Sequence, residues 1–379
     1  MRSRLISPGF ILILCTTVAT FSTLYLPQPI LPDLAQQFGV SASQVSLLIG
    51  LTLLPLAIAP ILYGYILESV SARSVLLVSV AMIAGCQFLF VWADSFQAAL
   101  ISRLLLGMAL PAAFTALMTY CATFAPKQQV RQIMGIYIAC TIIGGFAGRL
   151  LSGIASAWQD TDTGFLIMGF VLTVNWLFLF SLSRDVGADF ARPHPRIIFE
   201  ILRQKQFLFS YLTIFFVFIV FAGISNNLPF RLREIDPQLS SAWISLTFIG
   251  YLVGIVAALS ASRLVDLLGG VRHALALALA IYLLSDLLFL SHSFHIAVLN
   301  VFLLSFGMFT AHAVLSANVN HLATRNVAAT NGLYIAIYYA GGSLGSWLPV
   351  MIYSSLGWSA LLYSMCAVIG IAWFCSRKA

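Results

Sequence analysis

Twelve apolar runs of about twenty residues each, separated by short polar turns, leave this chain few solvents in which it could fold. They cover residues 9–31, 45–67, 74–93, 97–122, 130–155, 164–183, 208–230, 242–265, 273–291, 295–322, 328–353 and 357–375. The chain is 61% hydrophobic and 8% charged, whereas a soluble domain carries about 25% charged residues. A soluble fold of 379 residues has too little interior to hide that much apolar surface. In lipid every backbone polar group needs a partner within the protein, which leaves helices or a closed barrel. The runs are continuous and not alternating, so each is expected as a membrane-spanning helix.

A glycine pattern divides the twelve spans into two sets of six. Span five contains Gly135-x8-Gly144-x3-Gly148-Arg149-x2-Ser152-Gly153, and span eleven contains Gly332-x8-Gly341-x3-Gly345. The offset is 197 residues. A second pair, Gly64-x3-Glu68 and Ser262-x3-Asp266, is offset by 198. Two unrelated features sharing one offset imply a duplicated unit. The expected organisation is a six-span bundle over residues 1–183, a cytoplasmic loop over 184–207 and a second six-span bundle over 208–379. The loop contains Pro193, Pro195 and IIFEILRQ, which is expected as a short surface helix. A duplicated membrane unit with a site between its halves is a transporter design.

Basic residues give the orientation. With the N-terminus inside, inner loops and tails hold fifteen of the nineteen Lys and Arg residues, and outer loops hold only Arg231 and Arg233. The positive-inside rule then puts both termini in the cytoplasm. The same bias accounts for the net charge of +7, so no nucleic-acid partner is expected. The first run is expected as a span and not a cleaved leader, because it is too long and lacks a small-residue cleavage site. The six cysteines lie in spans without a paired metal spacing, so neither a disulfide framework nor a metal site is expected. No phosphate-binding G-x4-G-K-[ST] occurs, and no cofactor is expected. The expected partners are the bilayer, a small-molecule substrate and protons, with the chain acting as a monomer.

The local motifs resemble those of the Major Facilitator Superfamily, and the resemblance covers nearly the whole chain. GYILESVSAR is similar to that family's loop motif between spans two and three. Gly64 matches, Glu68 stands for the usual Asp, and Arg73 keeps the last basic position. Ser71 and Ala72 depart from the pattern. The second copy keeps Asp266 and Gly269. ISRLLLGMALPA resembles the fourth-span motif, with Arg103 and Gly107 in place. The fifth-span glycines resemble the motif of exporters, with Arg149 where proline is common. The resemblance implies twelve helices in two pseudo-symmetric bundles and the drug:proton antiporter branch, near bacterial inner-membrane, arabinose-efflux-like permeases. It also implies that Glu68 and Asp266, beside Arg73 and Arg272, form a charge latch on the inner side; ordinary solvated loop charge is the alternative.

Cys140, Gly144, Gly148 and Ser152 recur every four residues and form a small-residue stripe that lets helix backbones approach closely. Gly341 and Gly345 do the same in span eleven. The stripe is expected to pack helices and to form an interface on which the halves rock. Charges within spans ask for a reason, at about 2.5–3.5 kcal/mol each by insertion scales. Arg103 in span four reads as binding an anion or switching a carboxylate, or as bonding to backbone in span one. His312 in span ten reads as the leading proton carrier or as a neutral hydrogen-bonded histidine. Asp33, at the outer edge of span one, is the second candidate carrier and an expected partner of Arg149. Asp286 in span nine reads as structural. Tyr25, Gln28, Asn226, Asn227, Tyr338 and Tyr339 complete the candidate substrate pathway. Asn226 and Asn227 precede Pro229, where unwound backbone is expected. The function expected is proton-coupled export of a small organic molecule from a bacterial cytoplasm, by alternating access. Uptake by symport or facilitated diffusion, and a transporter-like sensor without flux, are the alternatives.

Overall fold

The structure, a computed structural model, describes residues 7–66, 70–124, 130–182, 195–323 and 325–379. Among the described residues it is all helix and connecting turn, with no strand. Eleven helices among the described residues are long and apolar enough to cross a bilayer. A twelfth apolar helix, Thr163–Leu179, has 17 residues, or about 26 Å at 1.5 Å per residue. The chain is a multi-pass membrane protein, and each of the twelve runs holds one helix. In order the helices are Pro8–Phe38, Ala42–Pro60 continuing to Ile66, Ala72–Val91, Phe96–Phe124, Val130–Trp158, Thr163–Leu179, Lys205–Ile235, Ser241–Leu267, Val271–Leu288, Phe294–Leu322, Val327–Leu356 and Trp358–Ser376. They are called spans one to twelve. The segment Pro195–Arg203 forms the expected short helix ahead of span seven.

Local chemistry sets where these helices start and break. Ser7 caps span one through the Phe10 amide, with Pro8 at the first helical position, where a missing N–H is harmless. The Asp160 carboxylate accepts from the Thr163 amide at 2.8 Å and the Thr163 hydroxyl at 2.6 Å at the start of span six. Those bonds hold it below the usual carboxylate range. Span one breaks after Tyr25, because Pro27 and Pro29 cannot donate to the helix ladder. A 3-10 turn, Gln28–Ile30, intervenes before the helix resumes as Leu31–Phe38. It ends at Gly39, whose φ of 61° is the left-handed cap that glycine adopts without strain. Span eight has a comparable 3-10 stretch at Phe248–Leu252. Span seven corrects the expectation of unwinding at Asn226–Asn227. It stays helical from Lys205 to Ile235 through Pro229, and the departures from α-helix are the 3-10 turns of spans one and eight. Three prolines within LPQPILP break a helix where a single proline does not.

Buried apolar residues form two clusters, one drawn from spans one to six and one from spans seven to twelve with Ile142. The glycines organise each set internally. A Cβ on Gly144 would stand 2.5 Å from the Val18 carbonyl oxygen, and one on Gly148 would overlap the Ser22 backbone. In the other set, Gly341 lies against the Phe215 carbonyl and a Cβ on Gly345 would stand 2.5 Å from that of Ile219. Partners as well as glycines are therefore 197 residues apart, so the repeat is a repeat of contacts. The finding corrects the expectation that these four glycines form a rocking interface. They pack span five on span one and span eleven on span seven, within each set of six.

Other positions carry the contact between the sets. Gly153 packs on Ser241 and Ser245, and the Ser343 hydroxyl donates to the Gly50 carbonyl at 2.8 Å. Nearer the chain ends, Gly135 faces Leu259 and Gly332 faces Pro60. The expected inner latch is not formed among the described residues. Gly64 lies in the last helical turns of span two, and Glu68 lies outside the described residues. The Arg73 guanidinium donates to the Phe180 carbonyl at 2.6 Å, tying span three to the end of span six. Asp266 is exposed and makes no ion pair among the described residues, and Gly269, at φ 73°, turns the chain after it. The ion pair that joins the two sets lies on the face opposite the chain ends. There Arg233 meets Asp33 at 2.9 Å, and the Asp33 carboxylate also accepts from Ser241 at 2.5 Å.

Candidate functional site

Gln28 begins the 3-10 turn at the break in span one. Its carboxamide is 1% exposed and has two different partners. The Gln28 Oε1 accepts from Arg149 Nε at 2.5 Å, and the Gln28 Nε2 donates to Asn226 Oδ1. Arg149 belongs to span five and Asn226 to span seven, so one side chain bridges the two sets of helices. The guanidinium can only donate, which fixes the Gln28 orientation and makes Asn226 Oδ1 the acceptor.

Arg149 is fully buried. Its Nη1 donates to the Gly145 carbonyl, one turn back in the same helix, at 2.7 Å. Its Nη2 has no hydrogen-bond acceptor among the described residues, and neither Asn226 Nδ2 nor Asn227 Oδ1 has a partner there. Aromatic faces surround the cation. The guanidinium carbon lies 4.2 Å from the Tyr25 ring centroid, 4.5 Å from that of Tyr251 and 5.1 Å from that of Phe248. Such contacts are worth up to about 2 kcal/mol when desolvated. The expected pairing with Asp33 is corrected. Asp33 follows Gln28 by more than a turn and reaches Arg233, Ser241 and Ser156 at the face opposite the chain ends.

Toward the chain ends, the strip continues into an aromatic wall. Tyr338 stacks on Phe218 with centroids 4.0 Å apart, and Tyr339 lies 5.0 Å from Tyr338. His312 approaches Tyr338 at 4.8 Å, and its Nδ1 lies 3.0 Å from the Tyr334 hydroxyl. His312, Tyr338 and Tyr339 remain half-buried although they lie between helices. Tyr25, Gln28, Arg149 and Asn226 therefore come together, with Tyr338, Tyr339 and His312 adjoining them. Asn227 turns back to the Gly223 carbonyl at 2.8 Å.

Arg103 stands apart from this strip. Its Nε donates to Leu48 O at 3.1 Å, and its Nη1 and Nη2 donate to Thr23 O and Leu24 O at 2.9 Å each. The Thr23 and Leu24 carbonyls at the break of span one thus receive charge-assisted bonds, and the Leu48 carbonyl, which also accepts from the Thr52 hydroxyl, receives a third. Of the two expected roles, the geometry supplies the backbone one. Asp286, also buried, accepts from Cys366 Sγ at 2.9 Å.

The sequence reading passes over Tyr251, Phe248, Arg233 and Ser241. The first two lie on the 3-10 stretch of span eight, whose turn aims them at Arg149. Arg233 was counted only as an outer-loop cation. Among the described residues no three His, Cys, Asp or Glu side chains gather. The site offers hydrogen bonds, a buried cation and ring faces.

The Major Facilitator Superfamily family model matches residues 13–248, more than half of the chain, and the chain belongs to that family. It is similar to the inner membrane transport protein YnfM of Escherichia coli, at 26% identity over 91% of this chain and 84% of that one. An uncharacterized transporter of Buchnera aphidicola subsp. Schizaphis graminum is 27% identical over 86% and 80%. Among solved structures, a bacterial homolog of the human lysosomal transporter Spinster, inward-facing and unoccupied, superposes with a TM-score of 0.75. That likeness covers 98% of this chain and 97% of the other at 16% identity, and it shows the fold. The protein is a membrane transporter and not an enzyme.

Proposed function

We propose that this protein exports a small organic solute in exchange for protons, as a secondary transporter working by alternating access. The carrying observation is the Gln28 carboxamide, which links Arg149 of one set of spans to Asn226 of the other within a buried, aromatic-lined strip. Rocking the sets apart breaks the neutral Gln28–Asn226 hydrogen bond there and parts Arg149 from the Tyr251 and Phe248 rings of span eight. At the face opposite the chain ends, the Asp33 bonds to Arg233 and Ser241 must also part. Basic-residue placement puts the chain ends in the bacterial cytoplasm, under the inner membrane, so the clasped face is the outer one. A solute then enters from the cytoplasm. The substrate site comprises Gln28, Arg149, Asn226, Tyr25, Tyr338 and Tyr339.

Proton coupling rests on His312. It is half-buried beside Tyr338 and hydrogen-bonded to Tyr334, and imidazole is the side chain that ordinarily titrates in the physiological window. Asp33 serves as the clasp and is the second candidate for proton exchange. The test uses inside-out vesicles with an acid lumen and an entrapped pH dye, challenged with small organic solutes. Export by exchange accumulates a solute and raises luminal pH together, and His312→Gln retains solute counterflow but loses gradient-driven accumulation. Accumulation indifferent to the pH gradient refutes proton coupling. Accumulation confined to right-side-out vesicles refutes export.

A further inference from the structure

The unmet donors around Gln28 say more about the solute than the fold does. Arg149 is a fully buried cation with one neutral carboxamide, one backbone carbonyl and three ring faces around it. No carboxylate pairs with it among the described residues, since Asp33 is held by Arg233 and Asp286 accepts from Cys366. A buried charge without a counter-ion is among the costlier features a protein can keep, and it normally neutralises or pairs. Guanidinium does not give up its proton at any ordinary pH, so pairing is the route left. Its Nη2 and the Asn226 Nδ2 are both donors without acceptors, and both groups are bonded to the same Gln28 carboxamide. Two donors on one short strip, one of them charged, fit a planar oxyanion and repel a cation. The rings of Tyr25, Tyr251, Phe248 and Phe221 close the surroundings with apolar and edge-polar surface.

We infer that the substrate is a small monoanionic oxyanion, an organic carboxylate in preference to an inorganic one, bound through Arg149 with the Asn226 amide as second donor. The inference rests on the reading of this strip as the transport site. The carboxylate is preferred because the ring faces give an apolar tail somewhere to lie, which nitrate cannot use. A monoanion is specified because the site presents one net positive charge.

Equilibrium binding to the purified, detergent-solubilised protein tests this without any need for flux or protons. Benzoate, acetate and nitrate are titrated by calorimetry, with benzamide as the neutral isostere of benzoate. The expected order is benzoate tighter than acetate and nitrate, with benzamide at least tenfold weaker than benzoate. Arg149→Gln should weaken benzoate at least tenfold, and Arg149→Lys should recover part of that loss, because an ammonium keeps the charge but not the fork. Nitrate tighter than benzoate supports the oxyanion and overturns the preference for an organic carboxylate. Benzamide equal to benzoate, binding of none of the anions, or anion binding unchanged in Arg149→Gln overturns the inference. If Arg149→Gln does not fold, the wild-type comparison of benzoate with benzamide decides alone. A neutral solute exported by proton exchange would overturn the anion and leave the transport reading standing, so the two fail separately.

Discussion

Arg103 and Arg149 are both buried arginines in the first six spans, and they are held in opposite ways. Arg103 gives each of its three nitrogens to a backbone carbonyl. Arg149 bonds one side chain and one carbonyl, leans on three rings, and keeps Nη2 without an acceptor. The first is a structural rivet, because every donating nitrogen meets a backbone carbonyl, two of them where span one breaks. The second is held in place while its charge remains uncompensated. A charge within a span therefore does not by itself mark a transport site. The inventory of hydrogen bonds is what separates the two arginines.

That comparison is sharpened by a stability series, measured as melting temperature and folded yield in detergent. The largest loss is expected for Arg103→Ala, which takes the guanidinium donors from the buried Thr23 and Leu24 carbonyls at the break of span one, at about 1–3 kcal/mol each. Little folded protein should be recovered, and Arg103→Lys should restore part of it. A normal yield of Arg103→Ala with transport abolished would put Arg103 back in the pathway. Next come Gly148→Ala and Gly345→Ala, expected to cost about 1–3 kcal/mol through forced backbone separation. Equal losses are expected, since the two glycines hold related helix pairs, and a loss in only one would break the equivalence of the repeats.

Asp33→Asn should cost less, about 1 kcal/mol or below, because the pair with Arg233 is partly exposed. Its readout is conformational. A cysteine introduced along the outer end of the strip should label faster in Asp33→Asn than in the parent, and unchanged labelling would remove Asp33 from the clasp. The smallest stability effect is expected for Arg149→Gln, within about 1 kcal/mol in either direction, because the variant loses two bonds and also an unpaired buried charge. Transport should nevertheless fall to background. A melting temperature as low as that of Arg103→Ala would dissolve the distinction between the two arginines.

Much of this architecture was legible in one dimension. Span limits follow from the lengths of apolar runs, so the helices start and stop within a few residues of expectation, apart from the longer ends of spans one and seven. The 197-residue repeat was legible because it is a property of spacing. What spacing cannot give is direction. Gly144 and Gly148 were read as meeting the other half, whereas their stripe faces span one. Arg149 and Asp33 were matched by sign, but Arg149 bonds Gln28 and Asp33 bonds Arg233. Pro229 was read as unwinding span seven, yet the helix continues through it. Arg233 and Tyr251 were passed over because their roles exist only where separate spans meet.

The repeated contacts also reveal where the two copies differ. Position 149 in the first copy corresponds to Ser346 in the second, and Gly145 corresponds to Gly342. Arg149 donates to the Gly145 carbonyl at 2.7 Å, and the Ser346 hydroxyl donates to the Gly342 carbonyl at 2.8 Å. Two equivalent seats on a symmetrical frame thus hold a cation on one side and a hydroxyl on the other. If the proposed transport site holds a solute between these seats, it meets unlike walls, and a molecule with a distinct head and tail has one preferred way to lie.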